Sequence, residues 1–132
     1  MNFKLSLLFS LIALMTGFGQ TSIEDIKIYN VWSSYDQDTG QWSEWEANDE
    51  VYILNYNGTS NIARCRLNNK IIIYKKGETP VKRGSTSSGH NYEEIKVTGE
   101  FFVPYVLRFY ENNPDYGLEL STGRVKIRFA KM

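Results

Sequence analysis

Apolar and polar positions alternate along most of this chain in short runs, each closed by Gly, Asn, Asp or Pro. The cleanest run comes last, with Val125, Ile127 and Phe129 on one face and Arg124, Lys126 and Arg128 on the other. A period of two is the mark of a strand with one wall against a core and one in water. Residues 26–32, rich in Ile, Tyr, Val and Trp, suit a strand as well. In residues 51–56, Val51 and Ile53 oppose Tyr52, Leu54 and Tyr56; in residues 61–67, Ile62, Arg64 and Arg66 oppose Ala63, Cys65 and Leu67. Further strands are predicted over 71–76, 92–98, 101–110 and 118–120. Turns are expected at Asn48-Asp49, Asn57-Gly58, Asn68-Asn69, Gly99-Glu100, Asn112 to Asp115 and Ser121 to Gly123, where residue types that favour tight or left-handed backbone cluster. Residues 77–90, with Pro80, Gly84, Gly89 and a Ser/Thr tract, read as a mobile surface loop or a hairpin with a disordered tip.

No helical period runs through residues 20–132. About eight to nine short strands joined by regular turns predict an all-β fold, a small antiparallel meander closing into a β-barrel or a strongly bent sheet or sandwich. The run 101–110 is apolar on both faces, with Phe101, Val103, Tyr105, Leu107 and Phe109 on one and Phe102, Val106 and Tyr110 on the other. Covered on both sides it is core, the reading favoured here. At a sheet edge it would offer a homodimer surface from Phe101 to Tyr110, and Pro104 would suit an edge or a bulge because it lacks a donor.

All three tryptophans, Trp32, Trp42 and Trp45, fall in VWSSYDQDTGQWSEWE. Asp and Thr followed by Gly40 predict a hairpin with its loop over residues 37–40. That register sets Asp36 opposite Gln41, Tyr35 opposite Trp42 and Trp32 opposite Trp45, one aromatic pair on each side of the sheet. An outward Tyr35–Trp42 pair beside Asp36, Asp38 and Glu44 would offer a flat apolar surface with acceptors around it, suited to a sugar or a peptide. Asp36-x-Asp38-x-Gly40 lacks the Gly and Glu that an EF-hand loop needs at its sixth and twelfth positions, which hold Gln41 and Ala47, so no metal is assigned.

The first residues add an address. Lys4 precedes an apolar run from Leu5 to Met15 and a small-residue stretch at 16–19, the layout of a cleaved signal peptide. The expectation is a leader over residues 1–19, a single domain over 20–132, and a secreted or periplasmic protein. The chain has 15 basic and 15 acidic residues, and removing Lys4 with the leader leaves 14 against 15. That balance provides no surface for nucleic acid. The signs are segregated: eight acids and one base from Glu24 to Glu50, seven bases and one acid from Arg64 to Arg83. Matching of neighbouring strands explains such segregation as well as a partner does. The basic stripe of Arg124, Lys126 and Arg128 reads as a bare solvated wall.

Catalytic chemistry has little to draw on. His90 is the one histidine and sits in the loose loop. Cys65, the one cysteine, shares a face with Ala63 and Leu67, which predicts a buried small hydrophobe. The expectation is therefore a non-enzymatic binding module without a cofactor, its partner a protein or a glycan at the cell envelope. In size, export and strand count the chain is similar to small lipocalin-like and fatty-acid-binding-type barrels, and that resemblance implies the alternative, a carrier of a small apolar ligand inside the barrel. Asn30 stands where the lipocalin Gly-x-Trp signature would place glycine ahead of Trp32, so no residue role carries over.

Overall fold

The computed structural model describes residues 23–132; the leader expected over 1–19 lies outside them. Ten strands follow in chain order: β1 (Asp25–Asp36), β2 (Gln41–Trp42), β3 (Glu46–Leu54), β4 (Ile62–Arg66), β5 (Ile71–Lys76), β6 (Lys82–Ser85), β7 (Asn91–Thr98), β8 (Pro104–Tyr110), β9 (Leu118–Thr122) and β10 (Val125–Ala130). Eight of them form the barrel wall in the order β1, β3, β4, β5, β7, β8, β9, β10, and β10 returns to pair with β1. The closing rungs set Val31 opposite Ala130 and Trp32 opposite Phe129. The meander is a closed antiparallel barrel, with β2 prolonging the tip of β1 and β6 alongside β7.

Closure depends on β1, which at twelve residues serves two neighbours. Its first part pairs with β3, its last part with β10, and the register shifts between Tyr29 and Val31. There Asn48 and Asp49 of β3 oppose Asn30 alone, a bulge in β3 that increases the local twist, as turning the corner of a small barrel requires.

Eight strands enclose a space that side chains can just fill. Tyr29, Tyr52, Tyr74 and Phe129 occupy it together with Ile62, Ile72, Ile95, Val97, Leu107, Phe109, Leu118 and Leu120. The rings meet edge-on, Tyr52 with Phe129 at 5.4 Å between centroids and Tyr52 with Phe109 at 6.4 Å, which suits their quadrupoles. Among them lies a buried ion pair. Arg64 Nε and Nη2 donate to the two oxygens of Glu50, and Nη1 donates to the Tyr74 hydroxyl at 3.2 Å. The guanidinium is also 5.5 Å from the Phe129 ring centroid and 5.8 Å from that of Tyr52. The opposite charges of the 24–50 and 64–83 segments thus meet inside the barrel, where Glu50 of β3 pairs with Arg64 of β4.

Several local expectations change. β3 continues through Asn48-Asp49, where a turn was expected; these two residues form the bulge opposite Asn30 of β1, and the Asn48 amide binds the Glu50 carboxylate. Cys65 does share a face with Ala63, but it is the outer one, because Arg64 takes the inward position. Of the two readings of residues 77–90, the hairpin is the one that forms: β6 pairs with β7 from Lys82–Glu94 to Ser85–Asn91, and the Thr86 and Gly89 amides close its turn. Gly84 is needed there because a Cβ would lie 2.6 Å from the Tyr92 hydroxyl. The apolar run 101–110 begins as a strand only at Pro104. Phe101 and Phe102 stand in a tight turn with φ of 56° and 60°, both 91% exposed. From Pro104 on, β8 is flanked by β7 and β9 and sends Leu107 and Phe109 into the core, so it is not an edge.

Candidate functional site

The Asp36–Gly40 turn forms as its residue types dictate. Asp36 Oδ1 accepts the Asp38 amide at 2.9 Å, the Gly40 amide returns to the Asp36 carbonyl at 2.8 Å, and Gly40 takes a φ of 70°. The turn fixes the register: Asp36 opposes Gln41 and Tyr35 opposes Trp42, their ring centroids 5.2 Å apart.

The predicted Trp32–Trp45 pair does not form, because β2 ends after two residues. Ser43 then anchors the chain across the outside of β1. Its amide donates to the Ser34 carbonyl, its hydroxyl accepts the Ser34 amide, and its carbonyl accepts the Ser33 hydroxyl at 2.6 Å. Trp32 turns inward against Phe129 and donates its indole N–H to Glu46. Trp45 ends on the outer wall with Trp42.

Both outer indoles converge on the last strand. The Arg128 guanidinium lies 4.3 Å from the Trp42 ring centroid, 4.9 Å from Trp45 and 5.4 Å from Tyr116, and Lys126 Nζ lies 5.5 Å from Tyr35. The basic stripe is therefore not wholly bare: aromatic rings cover Arg128, while Arg124 and Lys126 stay exposed. Cation–π contacts of this kind are worth about 0.5–2 kcal/mol each and fix ring orientation. Beyond Tyr116 the aromatic row continues through Tyr110 to Tyr92, which Arg108 overlies at 4.4 Å.

An open depression of about 510 Å³ lies beside the pair, lined by Tyr35 and Trp42 and by the polar Ser34, Asp36, Gln37, Thr39, Gln41 and Ser43. Gln37 ties the turn to the β9–β10 connection by donating to the Arg124 carbonyl at 2.8 Å. Of the five residues singled out from sequence, Tyr35, Trp42 and Asp36 come together here. Asp38 and Glu44 are exposed outside the lining, and one oxygen of Asp36 is committed to its own turn. Sequence reasoning missed Arg128, Lys126 and Tyr116. Their alternation or aromatic character was visible, but their place beneath the indoles follows only from the β1–β10 closure.

A second depression, of about 280 Å³, lies between Arg83, Gly84, Ser85, Asn91, Tyr92 and Glu111. Among the described residues no group of three or more His, Cys, Asp and Glu side chains is placed to hold a metal ion. His90 sits in the β6–β7 turn with Nδ1 3.4 Å from the Ser88 hydroxyl, and Cys65 lies on the outer wall of β4. No family model matches the chain, and no curated protein or solved structure is significantly similar to it.

Proposed function

We propose that this is an exported, non-enzymatic binding domain that takes a glycan of the cell envelope on the outer wall of its barrel, at the Tyr35–Trp42 face. The observation that carries this reading is the aromatic pair held by ring contacts with Lys126 and Arg128 and bordered by a depression whose other lining groups are hydroxyls, amides and one carboxylate. A sugar ring has an apolar face to lay on an indole and hydroxyls around its rim that need partners. Rings already fixed by stacked cations lose little freedom when the ligand arrives, so more of the contact energy appears as affinity. The carrier alternative needs a hollow barrel, and here five large aromatic rings and the Glu50–Arg64 pair occupy the interior.

Trp42→Ala tests the proposal. Truncating a central indole costs binding at least about 2 kcal/mol, roughly 30-fold in affinity. Retention on a panel of immobilised β-glucan, chitin and mannan oligosaccharides should fall by that factor while the far-ultraviolet dichroism stays unchanged. Unaltered retention by a folded Trp42→Ala protein would remove the site.

A further inference from the structure

The wall of β1, β3, β4 and β5 carries two successive outward rungs with no charge in either, between Asp49 at one end and Lys75 at the other, and we propose that it docks against the same wall of a second copy of this chain. Register makes the surface continuous. One rung runs Ile28, Val51, Cys65, Ile71 across the four strands. The next runs Ile26, Ile53, Ala63, Ile73. The rung between them is Lys27, Tyr52, Arg64 and Ile72, and its last three side chains are buried in the interior, so both outer rungs belong to the outside of the barrel. Ile28 and Ile71, at the two ends of a rung, are each 54% exposed. The other walls of the same barrel carry the usual outward charges, with Glu94 paired to Arg108 across β7 and β8, and Lys126 and Arg128 on β10.

The patch extends past the rungs. Leu67 follows β4 with its side chain 80% exposed, and the Phe101-Phe102 turn lies beside β5, with Glu100 3.8 Å from Lys70 Nζ. Left-handed backbone is rare for a bulky side chain, and here two consecutive phenylalanines adopt it with their rings in solvent. Together these groups offer apolar surface on the order of 800 Å², the share each partner contributes to a standard protein interface. That exceeds the roughly 300–600 Å² of the largest patch on a typical monomer.

The face is also self-complementary. Turning one copy about an axis parallel to the strands packs the sheets face to face in aligned fashion, with β3 against β4 of the partner and β1 against β5. Glu24, two residues before Ile26, then stands across from Lys75 of the second copy, two residues after Ile73, at both margins. Aligned sheets pack about 10 Å apart, which leaves the two copies of Cys65 within reach of a short bismaleimide.

Sedimentation velocity of the protein expressed from residues 1–132, from 1 to about 300 µM, is the test. A dimer is expected, linked through Cys65 by bismaleimide. Ile28→Lys with Ile71→Lys should raise its dissociation constant at least 100-fold at unchanged far-ultraviolet dichroism. Phe101→Asn with Phe102→Asn, whose new residues suit the left-handed turn, should raise it at least 10-fold and serves if the lysines prevent folding. A monomer throughout, or a dimer indifferent to both pairs, overturns the proposal. A monomer that floats with phosphatidylcholine vesicles would overturn it in favour of a lipid surface. One whose Cys65 resists N-ethylmaleimide would overturn it in favour of cover from the same chain.

Discussion

Arg64→Met is expected to destabilise the barrel by about 3–5 kcal/mol, because it strands a carboxylate in the interior. The Arg64 side chain is 8% exposed and that of Glu50 is fully buried. With the guanidinium gone, Glu50 would keep the Asn48 amide and a distant Arg66, whose Nε is 4.0 Å away. Neither replaces a two-point contact in a medium where an unpaired charge costs several kcal/mol. Joining Glu50→Leu to Arg64→Met removes both charges and leaves apolar side chains of similar size among Tyr52, Tyr74 and Phe129. Most of the loss should then be recovered, since a buried ion pair breaks roughly even against a well-packed apolar substitute. Urea melts of wild type, both single variants and the double variant would reveal this non-additivity. Additive losses would mean that the two groups do not depend on one another.

The second large effect is alkaline. Burial raises the phenols of Tyr29, Tyr52 and Tyr74 above the ordinary value of 10.0, and that of Tyr110 to about 12. In the unfolded chain these groups lose their protons near pH 10, while the native barrel holds them. Above that pH the unfolded state binds fewer protons, so stability falls as pH rises. The contribution is whole below about pH 10 and is lost progressively as pH climbs toward and through 12. Thermal midpoints should fall steeply above pH 10, and tyrosinate absorbance at 295 nm should rise together with loss of structure. A midpoint that is level up to pH 12, with phenols titrating in a folded protein, would contradict the packing of these rings.

Where the local chemistry was decisive, the chain could be read directly. Asp36 to Gly40 specified its own turn and thereby set Tyr35 against Trp42, and the alternation of β10 put Ile127 and Phe129 on the inner side. Reading failed where a neighbouring strand overruled a local preference. Asn48-Asp49 has turn chemistry, but pairing with β1 on both sides keeps it in the strand as a bulge opposite Asn30. Alternation separated Arg64 from Cys65 without telling which wall was wet. The usual preference for basic residues outside gave the wrong side, because Glu50 on β3 draws Arg64 inward. The same inversion turned the apolar face of β4 outward and hid an exposed patch behind a plausible core. At the site, the turn residues were legible, whereas the cations behind the indoles depend on a contact between the two ends of the described chain.

The proposed glycan site requires a full barrel whose ligand sits on its outside. Amide and indole shifts in a 1H–15N correlation spectrum, followed while the retained oligosaccharide is titrated in, test this most directly. The predicted result is a set of changes confined to residues 34–43, the Trp42 indole and neighbouring Lys126 and Arg128, with Tyr52, Tyr74 and Phe129 unmoved. Changes centred on those three interior residues, and none at Trp42, would contradict it.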